Sequence, residues 1–264
     1  IIECDYEEEL YSLIGLNNVK KEVRGRYKNS ILGVMWTFLN PLLQLLVYSL
    51  IFPFILRVSE KNYTMFLCVG LIPWSFFTTT IIQSTNTIIG NANIVKKVYF
   101  PREILPLSVV LSGAINFLIA TIIILAFCIG GGKGITWHIA IFPIILLLQM
   151  ILQLAISFVL AAITVYVRDV EHFVQIILML MFYATPIVYS ASTLDSTSTT
   201  GMLIRRAVQL NPMTTIIEGY RSIFYTQTLP DFKHIGIWYI LSFILLVIGW
   251  LIFNKLQKGF AEEL

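Results

Sequence analysis

Charge is what this chain has least of. Only 12% of its 264 residues are Asp, Glu, Lys or Arg, against about 25% in soluble domains, while 57% are hydrophobic. Mean hydropathy is +0.82. Between one charged residue and the next, six intervals carry no charge at all: 29–56, 62–95, 104–132, 134–167, 172–194 and 234–254. A soluble globule is excluded. Each interval exceeds the ~20 apolar residues that a helix needs to cross a bilayer core of about 30 Å. A membrane β-barrel would instead alternate apolar and polar residues over ~10-residue strands, unlike the apolar run 139–158. The expected fold is therefore an all-α membrane protein of six transmembrane helices, forming one transmembrane domain over 1–264.

Reactive side chains are equally scarce. There are three cysteines, Cys4, Cys68 and Cys128, and their spacing suggests neither a metal site nor a disulfide framework. Cys68 and Cys128 read as small buried hydrophobes. His138, His172 and His234 cannot be argued into one site. No catalytic residue and no metal ligand set is expected, and this chain itself is expected to be no enzyme and to hold no cofactor. Gly132-Lys133 imitates a phosphate loop, but a Walker A motif needs Gly at 127 and Ser or Thr at 134, where Phe and Gly stand. A net charge of +3, spread over loops on both sides, makes no case for nucleic acid. The first thirty positions, opening with Glu3, Asp5, Glu7, Glu8 and Glu9, lack the basic and apolar regions of a secretory signal.

What charge there is sets the orientation. With both termini cytoplasmic, eleven Lys and Arg face the cytoplasm and seven face outward. Lys20, Lys21, Arg24, Arg26 and Lys28, ahead of the first helix, dominate the bias. Residues 10–28 are amphipathic, with Leu16, Val19, Val23 and Tyr27 beside a row of Lys20, Arg24 and Lys28. Such a helix lies in the inner interface or serves as a plain positive anchor.

The spans are expected at about 31–56, 65–89, 105–128, 138–166, 173–189 and 235–254. Pro41, Pro53, Pro73 and Pro186 fall inside or near the ends of these spans. The run Gln83, Ser84, Thr85, Asn86 and Thr87 closes the second span, and five polar residues there are expected to face protein or an aqueous path. Between the fifth and sixth spans, 202–209 and 213–225 look helical, split by Asn211-Pro212, and are expected as two short helices near the outer leaflet. The aromatics have two readings: lipid belt and helix packing, or a passage lined by Trp36, Tyr48, Phe52, Trp74, Phe77, Phe182 and Tyr183, whose faces could stack on sugar rings. With no ionisable residue in the spans, proton coupling is disfavoured and a transporter powered by a separate protein fits better.

Four stretches together carry a resemblance. They are Arg26-Tyr27-Lys28-Asn29-Ser30-Ile31-Leu32-Gly33 with Trp36, Leu39 and Pro41; Lys96-Lys97-Val98-Tyr99-Phe100-Pro101-Arg102-Glu103; Tyr166-Val167-Arg168-Asp169-Val170; and Asn211-Pro212 followed by Tyr220-Arg221. Over essentially all its length the chain resembles permease subunits of type-2 ABC exporters that move polysaccharides such as O-antigen and teichoic acid. The resemblance implies a half-transporter in the bacterial cytoplasmic membrane, paired with a second copy of itself and with two ATPase subunits that hold ATP and Mg. It implies an N-terminal interface helix and ATPase contacts through Lys97, Tyr99, Arg102, Glu103, Arg168 and Asp169. It also implies outer gate helices carrying Asn211, Pro212, Glu218, Tyr220 and Arg221. The substrate implied is a polysaccharide on undecaprenyl diphosphate, with Arg24, Arg26 and Lys28 placed to attract the diphosphate. A drug or lipid exporter of the same superfamily, or a non-transport scaffold in glycan assembly, are the competing readings.

Overall fold

A computed structural model describes residues 18–22, 25, 33–56, 62–97, 100–190 and 199–264. No strand occurs among them. The helices are α1 (Trp36–Leu56), α2 (Tyr63–Asn86), α3 (Ala92–Lys97), α4 (Ile104–Gly130), α5 (Phe142–Tyr166), α6 (Val170–Ala184), α7 (Thr199–Gln209), α8 (Pro212–Arg221), α9 (Phe232–Leu256) and a final turn, α10 (Phe260–Glu263). Among the described residues, five segments are long and apolar enough to cross a membrane: α1, α2, α4, α5 with its 3-10 lead from Trp137, and α9.

The fifth expected span, 173–189, is shorter than the sequence suggests. α6 has 15 residues, about 22 Å of helix, which falls short of a hydrocarbon core of about 30 Å. The cause is Pro186. A proline forces the preceding residue out of the helical region, and Thr185 is extended at φ −106 and ψ 133. The helix therefore stops at Ala184 instead of reaching Tyr189.

α2 forms the axis of the bundle. It is buried along most of its length and packs against α1, α4, α5, α6 and α8, so it can be apolar on every side. α5 and α9 form the longest seam. Gly249 makes that seam close, since a Cβ there would stand 2.6 Å from the Ala155 carbonyl oxygen.

The two ends of the bundle differ in chemistry. At one, called here the basic-loop end, the start of α4 meets the ends of α5 and α9: Tyr166 donates to the Leu256 carbonyl at 2.7 Å and Arg102 to that of Gln257. A second apolar cluster built on Phe158, Phe253 and Phe260 packs beneath them. At the other, the glycine-turn end, Gly132 and Gly134 take φ +74 and +67, which suits residues without a Cβ. The neighbouring Lys133, the false phosphate-loop lysine, donates to the Tyr225 carbonyl and lies 4.0 Å from that ring's centre.

The segment between α6 and α9 holds two short helices, as the split at Asn211-Pro212 suggests. α7 exposes Leu203 and Met202, but α8 is no surface helix. Met213, Ile216, Ile217 and Tyr220 are fully buried among α2, α5 and α9. Two polar groups follow α8 inward and satisfy one another: Tyr220 donates to Gln149 Oε1 at 3.1 Å, and Gln149 Nε2 to the Pro73 carbonyl at 2.9 Å.

Gly249→Ala is expected to lower stability by about 1–3 kcal/mol through overpacking. Gly236→Ala, in the same helix with no atom within 4 Å of its Cβ, is expected to leave it level or higher. Thermal unfolding of the two variants in detergent checks the contrast.

Candidate functional site

Three constellations occupy the interior and the ends. The first is built where α6 breaks. Residues 185–187 leave the helix, and their carbonyls would be orphaned inside an apolar bundle. Arg221, at the end of α8 and only 6% exposed, supplies the donors: one guanidinium nitrogen reaches the Pro186 carbonyl at 2.5 Å and the other that of Ile187 at 2.6 Å. The Phe66 ring lies 3.6 Å from the guanidinium carbon, a cation–π contact that shields the charge. Gly70 leaves the space, since a Cβ there would sit 3.0 Å from the guanidinium. At the other end of α8, Asn211 caps the helix by accepting from the Met213 amide at 3.0 Å, and donates to Thr185 Oγ1 at 2.8 Å. Pro212 follows at the first helical position, where its missing N–H costs nothing.

The second is a cavity of about 290 Å³ between α1, α2 and α4. Thr37 and Asn40 line it from α1, Ser75, Thr79, Thr80 and Gln83 from α2, and Asn116 from α4. All are neutral donors and acceptors. The Thr80 hydroxyl is fully buried and without a hydrogen-bond partner among the described residues. It points toward Gly113, where a Cβ would lie 2.5 Å away. This lining has no acid, base or nucleophile; its chemistry is reversible hydrogen bonding to an uncharged, hydroxyl-rich or amide-rich group.

The third lies at the basic-loop end and separates residues the sequence treated alike. Arg102 and Glu103 are already engaged within the chain: Arg102 with the Gln257 carbonyl and, at 5.8 Å, the Phe260 ring, and Glu103 Oε1 with Trp250 Nε1 at 3.1 Å. Arg168 and Asp169 are exposed in the turn between α5 and α6. Lys97 closes α3, with its side chain outside the described residues; Tyr99 lies outside them as well. Of the N-terminal amphipathic stretch, 18–22 is helical, and Lys21 donates to Asn91 Oδ1 at 2.6 Å. Arg24, Arg26 and Lys28 lie outside the described residues.

Among the seven candidate channel aromatics, only Trp36 borders the cavity. Tyr48, Phe52, Trp74, Phe77, Phe182 and Tyr183 pack on one another between α1, α2 and α6, with ring centres 5.3–6.0 Å apart. Trp74 and Phe77 are buried. Of the residues expected at an outer gate, Asn211, Pro212, Tyr220 and Arg221 anchor α8, while Glu218 is exposed. Sequence reasoning missed Asn40, Thr80, Asn116 and Gln149. For Asn40, Asn116 and Gln149 the signal was present, each an amide set among mostly apolar neighbours, which a membrane helix retains only where protein or ligand receives it; Thr80, the last of three consecutive threonines, gave none.

A family model described as ABC-2 type transporter matches residues 16–225. Over 258 residues the chain is 37% identical to the O-antigen export system permease protein RfbA of Myxococcus xanthus, covering 97% of this chain and 98% of that one. A protein of the same description from Klebsiella pneumoniae is also 37% identical, over 246 residues and 92% of each chain.

Arg221→Met is expected to leave two buried carbonyls without donors, at a cost of about 3 kcal/mol or more. Arg221→Lys keeps the charge but loses the fork that serves both carbonyls, and should recover only part of the loss. Hydrogen exchange and unfolding midpoints of both variants measure it.

Proposed function

Because the chain belongs to the ABC-2 type transporter family, a premise that fixes it as a membrane permease, we propose that it is the permease subunit of an export system for an O-antigen-type polysaccharide. The observation that carries the reading is the cavity between α1, α2 and α4: neutral amides and hydroxyls gathered in the apolar bundle suit a polymer of sugar hydroxyls. The names of its relatives agree with that substrate class.

In this reading the glycan travels on a lipid diphosphate carrier, drawn to the inner leaflet by Arg24, Arg26 and Lys28. Two copies of the chain, each a single transmembrane domain, form the path. α1 fits the pairing, with Leu42, Leu46, Leu50 and Phe54 presented outward. Hydrolysis of ATP with Mg takes place in two partner ATPase subunits docked at the basic-loop end, which faces the cytoplasm together with both termini. Arg168 and Asp169 are free to meet them. Arg102 and Glu103 act one step further in, by holding the end of α9. α6 and the extended residues after it make the fifth of six crossings, since Tyr63, at the start of α2, donates to the Val188 carbonyl at 2.7 Å. α7 and α8 form the outer gate, α8 as a helix inserted into the bundle.

A host strain depleted of this chain should accumulate lipid-linked glycan in its cytoplasmic leaflet and lose the surface polymer; an unaltered surface glycan would sink the proposal. In the assembled complex, Arg168→Ala should lower transport-coupled ATP hydrolysis several-fold with no change in unfolding midpoint. Arg102→Ala should lower both, because it also releases the end of α9. Thr80→Val together with Asn116→Leu should slow export about tenfold while the ATPase partner still binds, measured as surface glycan per copy of the complex.

A further inference from the structure

A second cavity, of about 250 Å³, opens at the glycine-turn end between α8 and the start of α9. One stripe of α8, Thr214, Thr215 and Glu218, faces Asp231 and His234 across it. Thr214 is 2% exposed, and its hydroxyl has no hydrogen-bond partner among the described residues. A buried hydroxyl left in that state costs about 1–3 kcal/mol unless something in the cavity meets it.

The opposite wall is fixed in place. Asp231 caps α9, its Oδ1 accepting from the backbone amides of Lys233 at 3.0 Å and His234 at 3.3 Å. Its Oδ2 lies 2.7 Å from His234 Nδ1. A proton held on Nδ1 by that contact leaves Nε2 of the neutral ring as an acceptor. The hydrogen bonds from His234 hold the Asp231 carboxyl below its ordinary range, so it is ionised at neutral pH. Desolvation raises the Glu218 carboxyl, against the lowering effect of Arg221 and His234.

Ligand classes can be removed one at a time. Two carboxylates repel phosphate and diphosphate. No group of three or more metal-binding side chains occurs among the described residues. A lipid tail would leave Glu218, Asp231 and the threonine hydroxyls unmatched. A sugar ring matches them, because adjacent hydroxyls donate to carboxylates in pairs and both donate to and accept from threonine. The volume suits one ring rather than a folded stretch of chain.

We propose that the cavity bordered by Thr214, Thr215, Glu218, Asp231 and His234 is a saccharide subsite that holds one neutral sugar unit of the glycan as it leaves the bundle. The inference rests on the export function proposed above and adds a site to it. At this subsite the leaving polymer is held by groups that border the cavity from α8 and the start of α9, while Met213, Ile216, Ile217 and Tyr220 keep α8 packed.

A photoreactive amino acid replacing Thr215 in the intact complex, in exporting cells, tests it. Illumination should give a glycan adduct at least tenfold above that at Ile240, an exposed position further along α9. Glu218→Gln combined with Asp231→Asn should cut the adduct about tenfold. Equal adducts at both positions, or no response to the double variant, would overturn the subsite. A second measurement covers loss of folding in the labelled protein. The unlabelled chain in lipid nanodiscs is titrated with an oligosaccharide hydrolysed from the glycan that accumulates on depletion, and separately with inorganic diphosphate. With only three histidines in the chain, the His234 ring signal can be assigned, and it should move with the oligosaccharide alone. Movement with diphosphate alone, or with neither, refutes the subsite. Export that continues without an adduct at 215 removes this inference and leaves the export function standing; depletion that accumulates no glycan removes the export function.

Discussion

The fold depends on one charge placed where charge is expensive. Pro186 ends α6 inside the bundle, and the chain after it has carbonyls that no helix can satisfy. Arg221 reaches them from α8, at about the level of Gly70, roughly 10 Å along α2 from Tyr63. Asn211 reaches Thr185 from the other end of the same helix. α8 is therefore held at both ends to three consecutive residues, 185–187, while Tyr220, next to Arg221, packs its ring against those of Phe117 and Phe142. Without the guanidinium, the break in α6 and the insertion of α8 would each lose their justification. A buried cation with two carbonyl partners and an aromatic face is the arrangement that makes such a charge tolerable.

Packing in the rest of the bundle follows from small residues at points of close approach. Gly249 lets α9 meet the α5 backbone, and Gly219 lets α8 meet Ile145, where a Cβ would come within 2.8 Å. Lipid offers helices no hydrophobic reason to associate, so shape and hydrogen bonds must do it. The Tyr220–Gln149–Pro73 chain shows the second half of that rule. Two polar side chains in apolar surroundings are affordable because each is the other's partner.

Much of this was legible in the spacing of charges, which located five long helices to within a few residues at most of their ends. The turn at 130–134 and the split at Asn211-Pro212 were legible too, because glycine and proline announce themselves. What escaped was the direction in which polar residues point. Pro186 was visible, but a proline near the end of a span does not say that the freed carbonyls will be met from 35 residues away by Arg221. Periodicity placed Glu218 and Arg221 on one side of α8, yet one is exposed and the other buried, a difference set by the neighbours of α8. The aromatics had two readings for the same reason, and Trp74 and Phe77 are buried between helices. The neutral residues Thr80 and Asn116 border the cavity instead.

The presence of Arg221 in the interior bears on how such a protein can be driven. An arginine keeps its proton under all ordinary conditions, so it cannot serve as a titrating relay even though it lies inside the bundle. The cavity between α1, α2 and α4 is lined by groups that do not ionise at all. In the proposed exporter work arrives mechanically from the partner ATPases, and α9 connects the two ends of the bundle. One end is gripped by the block formed by Glu103, Arg102 and Tyr166, and the other presents Asp231 and His234 beside α8. Its seam with α5 is too close at Gly249 to let it bend freely there. In the proposed exporter, α9 is the element that links a displacement imposed on the basic-loop end to α8.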